Sequence, residues 1–164
     1  MMRRPFLLGL AGLAGAALFG RGQAAAVDAP AEPTGIEPVR LTDAEWRERL
    51  SPHAYRVLRE EGTERPNASP LNFEERQGGY HCAGCGLLLF HSQWKYDSGT
   101  GWPSFYDVID KHIGTKSDRV LFYERTEYHC ARCGGHQGHL FEDGPEPTGL
   151  RYCNNGVALE FRAA

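Results

Sequence analysis

The 164-residue sequence has no excess of charge of either sign, no apolar run long enough for a membrane span, and only five cysteines. A formal net charge of -3 leaves no basic footprint, so nucleic acid is not an expected partner. The longest apolar stretch, Phe6 to Phe19, is interrupted by Gly9, Gly12 and Gly15. It falls short of the roughly 20 apolar residues that a spanning helix requires. From Gly78 onward no stretch is patterned as a long helix, which argues against βαβ units and a parallel sheet. An odd cysteine count means that the thiols cannot all be paired with one another.

The chain opens with Arg3-Arg4, the apolar stretch, and then Ala24-Ala25-Ala26. This charged, apolar, small-residue order is that of an export signal over residues 1–26, cleaved after Ala26. Arg3-Arg4-Pro5-Phe6-Leu7 resembles the twin-arginine form of such signals. The expected destination is the periplasm, with membrane tethering by an uncleaved signal as the alternative. Residues 27–40 carry Pro30, Pro33 and Pro38 and read as a flexible linker, followed by one domain over 41–164.

That domain begins with two short helices. Thr42 and Glu45 have the spacing of a capping box, in which a hydroxyl and a carboxylate reach across the first turn. Ser51-Pro52 starts the second, with Ala54, Tyr55, Val57 and Leu58 as its buried face and Gly62 as its stop. Beyond Gly78, four short runs read as strands: Leu87–Phe90, Arg119–Arg125, Gly149–Tyr152 and Val157–Arg162. Gly-rich turns separate them. The class is therefore mainly β, with antiparallel sheet.

Four of the cysteines form two C-x-x-C pairs. Tyr80-His81-Cys82-Ala83-Gly84-Cys85-Gly86 differs from Tyr128-His129-Cys130-Ala131-Arg132-Cys133-Gly134 at one position. Two such knuckles supply the four thiolates of a structural Zn²⁺ site. Two disulfides, a redox C-x-x-C or bound iron are the rival readings in an exported protein. Cys153 is the thiol left over, either a reactive group or a small buried hydrophobe. Arg151, two residues away on an extended strand, shares its face and would favour the thiolate; Asn155 adds an amide on that side. His136 and His139 form an H-x-x-H pair, with Asp143 beyond. Gly99-Thr100-Gly101-Trp102-Pro103-Ser104-Phe105 is a turn able to display an aromatic surface.

The ordered set of Cys-x-x-Cys, Gly-Trp-Pro-Ser-Phe, Cys-x-x-Cys, His-x-x-His and Arg-Tyr-Cys-Asn resembles methionine sulfoxide reductase B from about Leu41 to Arg162. The resemblance implies two antiparallel β-sheets and one structural zinc on Cys82, Cys85, Cys130 and Cys133. It implies reduction of the R epimer of methionine sulfoxide in proteins, with Cys153 as nucleophile and a sulfenic acid intermediate. It places the substrate methyl against Trp102, with Phe105 beside it. His136, His139, Asp143, Arg151 and Asn155 would line the polar side, His139 serving as the acid. Oxidised proteins are then the substrate and a thioredoxin-like protein or small thiol the reductant, for a monomeric enzyme. One departure stands out: many members carry a resolving cysteine where this chain has Thr100. The competing reading from another class is a non-enzymatic zinc-ribbon-like interaction module.

Overall fold

The computed structural model describes residues 35–164 except 121 and 122; the export-signal reading lies outside the described residues. The described part of the proline-containing stretch is anchored at its end. Val39 donates its N–H to Arg132 O at 2.7 Å and packs against the core.

Helix α1 (Asp43–Arg49) forms where the capping box predicts it: Thr42 Oγ1 accepts from Glu45 N at 3.4 Å, and Glu45 Oε2 accepts from Thr42 N at 2.7 Å. Helix α2 (Pro52–Glu60) is capped by Ser51 and buries Ala54, Tyr55, Val57 and Leu58. Its left-handed terminal residue is Glu61, at φ 54°, and not Gly62. Gly62 is needed one step later, because a Cβ there would lie 2.9 Å from Arg56 O. Among the described residues no helix is long and apolar enough to cross a membrane.

Among the described residues nine strands follow: β1 Gly78–Cys82, β2 Leu88–His91, β3 Lys95–Tyr96, β4 Ser104–Phe105, β5 Ile113–Val120, β6 Tyr123–Cys130, β7 His136–Phe141, β8 Arg151–Asn154 and β9 Leu159–Ala163. They make two antiparallel sheets, one ordered β2-β1-β9 and one β3-β4-β8-β7-β6-β5. The expected single run Arg119–Arg125 is divided between β5 and β6, which meet at the pair Val120 and Tyr123. Its composition suits a strand throughout, and it contains no Gly, Pro, Asn or Asp to mark the reversal.

Aromatic rings join the two sheets. Tyr80 and Phe90 come from the small sheet; Phe105, Tyr128 and Tyr152 come from the large one. Phe90 stacks on Phe105 with centroids 4.1 Å apart, and Tyr80 meets the same ring edge-on at 4.9 Å. Tyr128 meets Tyr152 edge-on at 5.5 Å. Each such pair contributes about 0.5–1.5 kcal/mol beyond its buried area. This packing consumes one face of the large sheet and leaves the other for polar groups.

Candidate active site and metal centre

Strand register assembles the polar face. Cys153 on β8 pairs with Ser104 on β4 and with His139 on β7. His139 pairs with Glu127 on β6, and Glu127 with Lys116 on β5. Directly paired residues share a face, so Ser104, Cys153, His139, Glu127 and Lys116 form one row across the sheet. Alternation sends Tyr152 and Asn154, the neighbours of Cys153, to the core side. The same parity corrects one expectation. Phe105 pairs with Tyr152, is fully buried and belongs to the aromatic core, so it does not line a substrate cavity.

A cavity of about 220 Å³ opens over Cys153. Trp102 and Phe141 supply its apolar surface; His139, Arg125, Thr63 and Asn155 supply most of the rest. Phe141 and Arg125 were not singled out in the sequence. Phe141 could have been, since it lies two residues after His139 on a strand and therefore on its face.

Of the other sequence candidates, Arg151, Asp143 and His136 stand around this cavity and do not line it. Arg151 holds Asp143 through two hydrogen bonds of 2.7 and 2.8 Å and lies 4.2 Å above the Phe141 ring. Asp143 is largely exposed and acts on the Arg151 guanidinium. His136 is buried behind His139, ring centroids 5.5 Å apart. Its Nδ1 is 3.0 Å from Glu127 Oε1, although neither ring nitrogen makes a well-aligned hydrogen bond among the described residues. Asn155 borders the cavity, but its amide is spent elsewhere: Oδ1 accepts from Glu64 N at 2.9 Å, and Nδ2 donates to Gln137 O at 3.0 Å.

The electrostatics revise the expected thiolate. Burial pushes the Cys153 thiol above its usual range. The Arg151 charge and hydrogen bonds with Thr100 and Arg151 pull it back, without offsetting the burial. Burial also holds His139 below the usual histidine range, despite its 2.8 Å contact with Asp118. Asp118 is shared with Arg125, at 2.6 Å. The resting pair at neutral pH is therefore a thiol and a neutral imidazole. Thr100 belongs to a hydroxyl chain, bonded to Ser98 at 2.8 Å, which in turn bonds Ser104 at 2.8 Å.

A bulge in β7 explains the spacing of the two histidines. Tyr128 pairs with Gly138, but His129 pairs with His136, so Gln137 is the extra residue. His136 and His139, three apart, thereby share a face. The fully buried Gln137 side chain instead reaches Cys82 Sγ, its Nε2 at 3.4 Å.

Cys82 ends β1, Cys130 ends β6, and Cys85 and Cys133 follow in tight turns closed by Gly86 N to Cys82 O and Gly134 N to Cys130 O, at 2.7 and 2.8 Å. Gly86 and Gly134 take φ 77° and 68°, the left-handed region that glycine enters freely. All four sulfurs are buried, unbridged and within 4.8 Å of one another. A tetrahedral ion with metal–sulfur bonds of about 2.3 Å requires sulfurs about 3.8 Å apart, so the cluster fits a metal ion. Hydrogen bonds among the thiols push Cys82 and Cys130 up and Cys85 and Cys133 down. The Gln137 N–H on Cys82 is a donor of the kind a metal-bound thiolate accepts.

The arrangement matches known proteins. A family model described as SelR domain covers residues 50–163. This chain belongs to the SelR family. A "Peptide methionine sulfoxide reductase MsrB" of Methanosarcina barkeri is 51% identical over 125 residues, covering 76% of this chain and 88% of that one. The like-named protein of Leptospira interrogans is 47% identical, covering 76% and 95%. That of Pseudomonas putida is 49% identical over 128 residues, covering 77% and 98%. Among solved structures, the Mis18 'Yippee-like' domain aligns over 54% of this chain and 98% of that one at TM-score 0.45 and 14% identity, a partial likeness only.

Proposed function

We propose that this SelR-family chain is a peptide methionine sulfoxide reductase that works through Cys153, acts on the R epimer, and repairs oxidised proteins. The observation that carries the reading is the position of Cys153: the one thiol outside the metal cluster, in a cavity between an indole and a neutral histidine. The apolar surface of Trp102 and Phe141 suits the substrate methyl and methylene groups. His139 stands on the polar side, paired with Cys153 across the strands.

The proton inventory balances within the site. The Cys153 thiol and the sulfoxide R–S(=O)–CH₃ give Cys153–S–OH and the thioether R–S–CH₃. The sulfoxide sulfur is reduced and the cysteine sulfur is oxidised to sulfenic acid. His139 takes the thiol proton as sulfur attacks and delivers it to the sulfoxide oxygen, acting in turn as base and acid. Arg151 stabilises the transient thiolate, and Asp143 aims the guanidinium. Thr100 leaves no internal thiol beside Cys153, so regeneration uses an external one. The first thiol forms a mixed disulfide and releases water; a second frees Cys153 as a thiol. A small thiol or a thioredoxin-like protein can supply both. The enzyme acts as an exported monomer delivered to the periplasm. Zn²⁺ is the ion proposed for the four cysteines, where it cross-links the knuckles. Cys153→Ser should abolish reduction of R methionine sulfoxide while leaving the bound metal and the far-ultraviolet spectrum unchanged. Turnover retained in that variant, or equal turnover of the S epimer, would refute the reading.

A further inference from the structure

Glu64 lies in the loop after α2, is only 4% exposed, and has no cationic partner among the described residues. Its interactions go to both walls of the cavity. Oε1 accepts from Gly156 N at 3.1 Å and Oε2 from Val157 N at 2.8 Å, in the segment three and four residues after Cys153. Its backbone N–H donates to Asn155 Oδ1 at 2.9 Å. Its backbone carbonyl accepts from the Trp102 indole Nε1–H at 3.0 Å. The packing leaves no slack: a Cβ on Gly156 would lie 2.0 Å from Ser69 Oγ and 3.1 Å from Glu64 Oε1. Burying a carboxylate is costly unless its oxygens are satisfied, and here both oxygens are used to hold one loop against another. We propose that Glu64 is a positioning residue that sets the distance and tilt of the Trp102 ring relative to the Cys153 sulfur. It thereby fixes how a substrate methyl group seats. The proposal rests on the reading of Trp102 as the substrate wall and Cys153 as the nucleophile. Misplacement of reacting groups by about 1 Å can cost on the order of 10²-fold in rate, so a one-methylene change in this joint should be felt at the cavity.

The test uses Glu64→Gln and Glu64→Asp in the full metal-loaded chain, with a small thiol as reductant. Gln keeps the size and loses one acceptor; Asp keeps the charge and shortens the reach. Both are expected to raise KM for methionine sulfoxide and to lower kcat/KM by at least about tenfold. The number of Cys153 thiols titrated by iodoacetamide should stay unchanged. Combined with Trp102→Phe, which removes the indole N–H, the loss should be less than the product of the separate losses. A reduced active fraction at unchanged KM, or strictly multiplicative losses, would overturn the positioning role. A readout independent of turnover is the indole N–H resonance of Trp102, assigned by its absence in Trp102→Phe. It should shift or broaden in both Glu64 variants, and an unmoved resonance sinks the proposal. A wild-type chain that reduces no sulfoxide would instead sink the functional reading and leave this resonance to decide the joint.

Discussion

Cys153 shows how far a residue's neighbours in sequence differ from its neighbours in space. Arg151 was legible as a partner because alternation on a strand is a local rule. The burial that outweighs its charge is set by strands β4 and β7, which no local pattern reveals. The thiolate is the alkylating species, so iodoacetamide modification of Cys153 should be slow at neutral pH. It should climb through a midpoint above the ordinary thiol value of 9.0. Arg151→Met removes the opposing positive charge and should move that midpoint higher still; a fall in the midpoint would contradict the assignment. Thr100 offers a second measurement. Its contact with Cys153 places position 100 beside the reacting sulfur. Thr100→Cys should therefore yield, after one turnover without reductant, an internal disulfide and the loss of two titratable thiols per chain. Glu64 was invisible in sequence for a physical reason: Trp102 lies 38 residues downstream and its other partners more than 90, and one Glu in a Gly-Thr-Glu-Arg loop follows no periodicity.

Helices and knuckles were readable because each is closed by bonds within a few residues: Thr42 with Glu45, Ser51 with Ala54, Cys82 with Gly86, Cys130 with Gly134. Strand limits were less readable. The β5–β6 reversal carries no turn residue, and the β7 bulge carries no marker except its effect on pairing. Phe105 follows the same lesson, since its face is decided by the partner strand and not by its own neighbours. Among the glycines within described strands the tightest is Gly138, where a Cβ would lie 1.9 Å from Cys153 O. Gly138→Ala should force β7 and β8 apart. A destabilisation of about 2 kcal/mol or more is expected in denaturant unfolding, within the range of strained-backbone and overpacking changes. Activity should fall with it, because the same pairing sets His139 against Cys153.

At the scale of the whole molecule, the cysteine cluster does what the aromatic core does, by a different bond. Cys82 ends a strand of the small sheet and Cys130 a strand of the large one, so a metal ion held by the cluster would tie the two sheets together. Metal binding at such sites is part of the folding free energy. Removing the metal with a strong chelator should lower the midpoint of thermal unfolding by roughly 10 °C or more, as loss of about 3 kcal/mol does in a domain of this size. An unchanged midpoint would show that the cluster contributes nothing to stability. The bulge at Gln137 gives this clamp an unusual relation to the chemistry. Ahead of the extra residue β7 is read in one phase, and beyond it in the other. The histidines and the glutamine that touches the metal ligand are thus written in opposite phases of a single strand. Deleting Gln137 would remove the bulge and leave His136 and His139 two apart, still on the reactive face by ordinary alternation, while Cys82 Sγ lost its amide donor. A single inserted residue is thus the thread between the two sites, spared by the histidines and felt at the cysteines.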